Sequence, residues 1–184
     1  MNVLVTGAAG YIGSVLVNKL LNKGYNVIGI DCLMYGGESL IGVYNHPNFK
    51  FYKADIRDID TLKPILEQVD AIVHLAAIVG DPACAKKPDL ARSINWEGSV
   101  NLLNAAHNIN RIKRFIFAST CSNYGKMEGN NYITEDSPLK PVSLYAELKV
   151  KFEKHLLQND YRADFCPTAL RFATVYGLSP RMRF

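Results

Sequence analysis

The sequence predicts an α/β fold, a doubly wound parallel sheet covered by helices on both faces. Three observations carry this: a short β-branched run that ends at a glycine-rich turn, an amphipathic helix directly behind it, and the return of strand and helix patterns along the chain. Asn2–Thr6 (NVLVT) is the first strand. Ile12, Val15, Leu16 and Leu20 then recur at threes and fours, the spacing of a helix with one buried face. Gly24 suits the residue after its C-terminus, and Asn26–Asp31 (NVIGID) is the second strand of a βαβ unit. Further strands are expected at Phe49–Lys53 and at 71–75, 114–119 and 168–172, with helices at 59–68, 90–108 and Leu144–Gln158 between them. Each helix is long enough for a right-handed crossover, which makes a parallel sheet the simplest arrangement. The stretch 125–141 is polar and turn-rich, the best candidate for a mobile loop over a site.

The 184 residues, 48% hydrophobic, suffice for one sizeable core. The formal charge is +4, from 21 basic and 17 acidic residues, and the basic residues are scattered, so nucleic acid is not an expected partner. Cys32, Cys84, Cys121 and Cys166 form no CxxC pair, which argues against a zinc cage or redox dithiol and for reduced thiols in a cytoplasm. Glycines 7, 10 and 13 interrupt the apolar start that a signal peptide would need. No run approaches the roughly 18 apolar residues of a membrane span.

Gly7, Gly10 and Gly13 form a GxxGxxG turn between the first strand and helix, where a backbone without side chains can approach a pyrophosphate at a helix N-terminus. Asp31 closes the second strand, placed to accept hydrogen bonds from the adenosine ribose hydroxyls. A plain turn and a solvated strand-end aspartate are the alternative readings of each alone. Together, in a strand–turn–helix–strand context, they describe a Rossmann fold that binds a dinucleotide. NAD is preferred to NADP because Asp31 would repel a 2′-phosphate and no arginine follows it.

Tyr145 and Lys149, four residues apart, emerge one turn apart on the same face if Leu144–Gln158 is helical. Leu144, Leu148, Phe152 and Leu156 form the core stripe of that helix, and the pair is turned about 100° from it, toward a cleft at an edge. A phenol ordinarily titrates near 10, and a neighbouring ammonium would favour its use as a base. On spacing alone the pair also fits an ordinary helix surface. With the GxxGxxG turn, Asp31, Asp55-Ile56, His74-Leu75-Ala76-Ala77, Ser119-Thr120 ahead of Tyr124-Gly125, and Arg171 ahead of Val175-Tyr176-Gly177, the chain resembles the extended branch of the short-chain dehydrogenase/reductase family, the NAD-dependent sugar-nucleotide epimerases and dehydratases.

The resemblance implies catalytic roles for Thr120, Tyr145 and Lys149. It implies cofactor contacts for Gly7, Gly10, Tyr11, Ile12, Gly13, Asp31, Asp55, Ile56, Leu75, Ala76, Ala77, Asn95, Tyr145, Lys149 and Phe172. Thr120, Cys121, Ser122, Tyr145 and Thr174 would meet a nucleotide-sugar substrate. Asp55 could instead cap a turn, and His74 is read as a hydrogen-bonded strand-end residue, with no metal expected. Cys121 and Ser122 stand where 4,6-dehydratases of the family place an Asp-Glu pair, which favours an epimerase. A dehydratase, a nucleotide-sugar or carbonyl reductase, or a non-catalytic dinucleotide scaffold are the alternatives. Thr174 replaces an asparagine, and Val79 a cofactor-contacting lysine, of some relatives. Family members continue into a smaller substrate domain, so residues 1–177 are expected to be the NAD-binding unit and 178–184 the start of a truncated substrate segment, with Arg181 and Arg183 near substrate phosphates or, equally, in a solvated tail. Ile94, Val100, Leu103 and Ala106 recur at multiples of three, and a homodimer through this helix and Leu144–Gln158 is expected, plain core packing being the alternative.

Overall fold

The computed structural model describes residues 1–126 and 132–182. Six parallel strands form one sheet: β1 (Asn2–Thr6), β2 (Asn26–Asp31), β3 (Phe49–Lys53), β4 (Ala71–His74), β5 (Arg114–Thr120) and β6 (Cys166–Phe172). Their order, β3-β2-β1-β4-β5-β6, reverses direction between β1 and β4, so a crevice opens at the carboxyl ends of those strands. The helices are α1 (Tyr11–Asn22), α2 (Ile59–Leu66), α3 (Asp81–Lys86), α4 (Pro88–Arg92), α5 (Ser99–His107) and α6 (Leu144–Gln158).

Alternation along β1 divides the core. Leu4 joins Leu62 and Leu66 of α2, Leu102 and Leu103 of α5, and Phe152 and Leu156 of α6, on one face of the sheet. Val3 and Val5 join Val17 and Leu21 of α1 on the other. A third cluster, with Ile78, Cys84, Ile94 and Leu148, packs beside the crevice. Helices on both faces are what near-continuous apolar strands require.

Several boundaries differ from the sequence reading. The helix expected at 90–108 is α4, a π-helical segment Ser93–Gly98, and α5, and α3 precedes it. Pro82 and Pro88 start α3 and α4 separately, since proline fits the first helical turn and not a helix interior. The last turn of α2 tightens, with the Gln68 amide bonded to the Ile65 carbonyl, so the helix ends at Leu66 rather than 68. The strand expected at 168–172 begins at Cys166, the one at 114–119 extends to Thr120, and the one at 71–75 ends at His74. Leu103 and Ala106 are buried with Val100 packed against their cluster, and Ile94 is buried in the third cluster, so the stripe proposed for a partner faces this chain's own core. No described helix is long and apolar enough to cross a membrane.

His74 is 1% exposed, its Nδ1 2.8 Å from Thr6 Oγ1 and its Nε2 2.9 Å from Ser99 Oγ, so β1, β4 and α5 are pinned together through a neutral ring. Burial, then the charge of Lys149, lowers its pKa from 6.5 to about 3. Between those values the unfolded chain binds a proton that the folded chain refuses. The stability that depends on a neutral His74 is therefore fully present above about pH 6.5 and falls toward pH 3, by up to about 1.4 kcal/mol per pH unit. Urea unfolding from pH 6.5 to 4 is expected to show a shallower pH dependence in His74→Asn than in the unsubstituted chain.

Candidate active site

The crevice is a groove of about 950 Å³. Gly7, Gly10, Tyr11, Ile12 and Gly13 form one end of its floor, and Asp31 with Cys32 stands at the end of β2. Gly7 has φ +71°, and a Cβ there would lie 2.8 Å from the Ala76 nitrogen. At Gly13 a Cβ would lie 2.0 Å from the Gly7 carbonyl oxygen, so the turn can close on itself only with glycine. Gly10 caps α1 without a side-chain hydrogen bond, and the first turn of α1 carries no acidic residue. That leaves the positive end of the helix dipole directed at the groove, suited to a pyrophosphate.

Asp31 is held in place from both sides: Oδ2 accepts from the Ala9 amide at 3.0 Å and Oδ1 from the Leu33 amide at 2.8 Å. Burial raises its pKa and these amides oppose the rise. Asp55 lines the groove and also caps a turn, because Oδ1 accepts from the Arg57 amide at 2.9 Å and Oδ2 from the Arg57 guanidinium at 2.6 Å. The Arg57 side chain holds its pKa below the usual carboxylate value. Ile56, Leu75, Ala76, Ala77 and Phe172 complete the apolar walls.

Thr120, Tyr145 and Lys149 line the same groove. Thr120 Oγ1 accepts from the Ser122 amide at 3.1 Å and donates to Ser122 Oγ at 3.2 Å, so the strand end and its hydroxyl are fixed as one unit. Ser143 caps α6 through the Ala146 amide and sets where that helix starts. Tyr145 and Lys149 follow on one face, the ammonium 5.8 Å from the phenol ring centroid. Both face the groove, as expected for the pair, but Lys149 is also buried: it is 4% exposed, donates to the Ala118 carbonyl at 2.7 Å and lies 4.5 Å from the Phe117 ring centroid. The residues beyond it on α6, Phe152 and Glu153, are buried as well, so the helix turns more than its leucine stripe inward.

Burial lowers the Lys149 pKa from 10.5 to about 8. The folded state is thus disfavoured at neutral pH, where both states carry the charge, and the deficit disappears as pH rises through 8 toward 10.5. Lys149→Met is expected to raise unfolding stability at pH 7 by about 1–3 kcal/mol and to weaken dinucleotide binding. Urea titration and a binding assay check both signs.

Four expected site residues do not line the groove. Asn95, 3% exposed, stands behind the wall, where Oδ1 accepts from the Ile78 amide and Nδ2 donates to the Ile78 carbonyl, each at 2.8 Å. It fixes the backbone of a groove residue, Ile78. Cys121, Ser122 and Thr174 are exposed and are not among the residues lining the groove. In a turn that bends away after Thr120, only the strand-end residue itself reaches the cavity. Arg181, expected near substrate phosphates, stands at the rim, beside Tyr35 and Met182, which the sequence reading missed. Arg181 lies 5.8 Å from the Tyr35 ring centroid, and its segment is tied to α1 by Ser179 Oγ donating to the Tyr11 carbonyl at 2.7 Å. No local motif marks these rim contacts, because they join segments far apart in the chain.

The loop expected at 125–141 includes 127–131, which lie outside the described residues, as does Arg183. Among its described parts, the Lys140 amide donates to the Asn123 carbonyl at 2.9 Å. Among the described residues no group of three or more His, Cys, Asp or Glu could hold a metal ion, and all four cysteines are free thiols.

Residues 3–184 match the family model described as the NAD dependent epimerase/dehydratase family. A UDP-glucose 4-epimerase of Lactobacillus helveticus is 38% identical over 181 residues, covering 97% of this chain and 53% of that protein. The chain spans about half the length of the curated relatives it matches. Among solved structures, UDP-glucose 4-epimerase of Thermotoga maritima with UDP-glucose superposes with a TM-score of 0.86 at 34% identity, covering 96% of this chain and 57% of that one. UDP-glucuronic acid 4-epimerase of Bacillus cereus, with UDP-glucuronic acid and NAD, superposes with a TM-score of 0.85 at 33% identity, covering 99% and 60%.

Proposed function

The chain belongs to the NAD-dependent epimerase/dehydratase family, and from that premise we propose that it is the dinucleotide-binding part of a nucleotide-sugar epimerase that works with NAD. One observation carries the reading: Thr120, Tyr145 and Lys149 line the same groove as the glycine turn and Asp31. Such a groove brings proton-transferring side chains alongside a dinucleotide, as oxidation of a sugar hydroxyl requires. The solved relatives bound to UDP-glucose and UDP-glucuronic acid support a nucleoside-diphosphate sugar as substrate.

Asp31 accepts hydrogen bonds from the adenosine ribose and repels a 2′-phosphate, which selects NAD over NADP. Tyr145 takes the proton of the sugar hydroxyl as the carbon–hydrogen bond breaks and the ketone forms, and returns it after the sugar has turned over. Thr120 holds that hydroxyl toward the phenol. The Lys149 ammonium favours the phenolate through its charge and is placed to hold the nicotinamide ribose. Bound NAD supplies the hydride acceptor and then the donor. Exposed Cys121 and Ser122 offer no acid–base pair beside the sugar, which favours epimerisation over dehydration.

Residues 1–177 form the dinucleotide unit in this reading, and the segment from 178 onward leads toward the sugar, with Arg181 at the groove rim as its first cationic contact. A cytoplasmic homodimer belongs to the same proposal, and sedimentation velocity tests the dimer. For the activity, the chain is incubated with NAD and UDP-glucose, and UDP-galactose is followed by ion-exchange chromatography. NAD-dependent appearance of UDP-galactose supports the reading. Binding of NAD with no interconversion of UDP-glucose, UDP-glucuronic acid or UDP-N-acetylglucosamine, by this chain and by a longer one that carries the substrate segment, removes the epimerase assignment.

A further inference from the structure

Glu153 is a buried carboxylate that the proposed chemistry does not use. It is 2% exposed and lies on α6 one turn beyond Lys149 and two beyond Tyr145, on the same face. Oε2 accepts from Ser119 Oγ at 2.5 Å and from Asn123 Nδ2 at 3.1 Å. Oε1 accepts from both Arg171 Nε at 2.8 Å and Nη2 at 2.6 Å, two charge-assisted bonds converging on one oxygen, and these raise the Arg171 pKa. The remaining Arg171 nitrogen, Nη1, donates to the Tyr124 hydroxyl and the Glu135 carbonyl, both at 2.8 Å. One carboxylate therefore joins α6, the end of β5, the turn after it and β6.

Each attachment falls beside the groove. Ser119 precedes Thr120, Arg171 precedes Phe172, and Ser119, Thr120 and Phe172 line the cavity while Glu153 does not. A buried ion pair adds little net stability over apolar packing of the same volume, because desolvating two charges offsets most of their attraction. What it does supply is direction: a planar guanidinium with two nitrogens on Oε1, while Ser119 and Asn123 hold Oε2, narrows the relative placement of its partners.

We propose that Glu153 is a positioning residue, whose ion pair with Arg171 and hydrogen bond to Ser119 hold the ends of β5 and β6 in register with Tyr145 and Lys149 around the nicotinamide half of the groove. The inference rests on the dinucleotide reading. It predicts a split between two probes. NAD extends along the whole groove, whereas ADP fills only the adenosine half, formed by the glycine turn and Asp31, which Glu153 does not touch.

Isothermal titration of the chain with NAD and with ADP tests this. Glu153→Gln keeps the side-chain shape and removes the charge, and a displacement of order 1 Å at the nicotinamide end is expected to weaken NAD binding by about tenfold or more with ADP affinity unchanged. The double variant Glu153→Gln/Arg171→Met leaves no unpaired buried charge, so it folds where the single variant does not, and it shows the same split. An unaltered ratio of NAD to ADP affinity in both variants overturns the inference and leaves the dinucleotide reading standing. A parallel loss of both affinities also overturns it, marking a merely structural role. Failure of the unsubstituted chain to bind either probe overturns the dinucleotide reading, and this inference with it.

Discussion

Gly13→Ala is expected to abolish NAD binding and to destabilise the chain by about 1–3 kcal/mol or more. The added methyl carbon would stand 2.0 Å from the Gly7 carbonyl oxygen and 2.9 Å from the Gly7 carbonyl carbon. Both atoms belong to the backbone, so no rotamer change relieves the overlap, and the turn must open. The opening displaces the N-terminus of α1 from the floor of the groove, where a pyrophosphate would meet its amides. Thermal melting with and without NAD checks both parts. A variant that melts as the unsubstituted chain does, and is still stabilised by NAD, contradicts this account of the turn.

Tyr145→Phe is expected to lower turnover of a UDP-sugar by about 10²–10⁴-fold, the range that a positioned general base contributes. Phenylalanine preserves the ring beside Lys149 and removes only the oxygen that carries the proton. NAD affinity should therefore stay within about twofold, because the glycine turn and Asp31 are untouched. Parallel measurement of kcat and NAD affinity separates the two effects. Equal losses in both would place Tyr145 among the binding residues and leave the proton without a named acceptor.

The sheet was legible because its strands carry local patterns: Asn26–Asp31 is an apolar β-branched run and Phe49–Lys53 alternates aromatic residues with lysine, and both stand where periodicity put them. The glycine turn and Asp31 were legible for a related reason, since their function depends on short-range geometry that the sequence displays directly. The π-helical segment was not. Its register shift puts Asn95 against the Ile78 backbone, a tertiary contact that leaves helical periodicity intact. Burial of Lys149 escaped for the same reason: a lysine reads as surface until a carbonyl such as that of Ala118 is brought to it. Glu153 carried a faint signal, its spacing of four from Lys149, but only the approach of Arg171 from β6 gives that spacing a use.

The central claim is that this groove holds NAD through the glycine turn and the Asp31 carboxylate. Its most direct test is the melting temperature of the chain titrated separately with NAD and NADP, since a ligand that binds only the folded state stabilises it by mass action. The account predicts a rise with NAD, little or none with NADP, and loss of the NAD response in Asp31→Ala. An equal response to both cofactors, or an NAD response that survives Asp31→Ala, would contradict it.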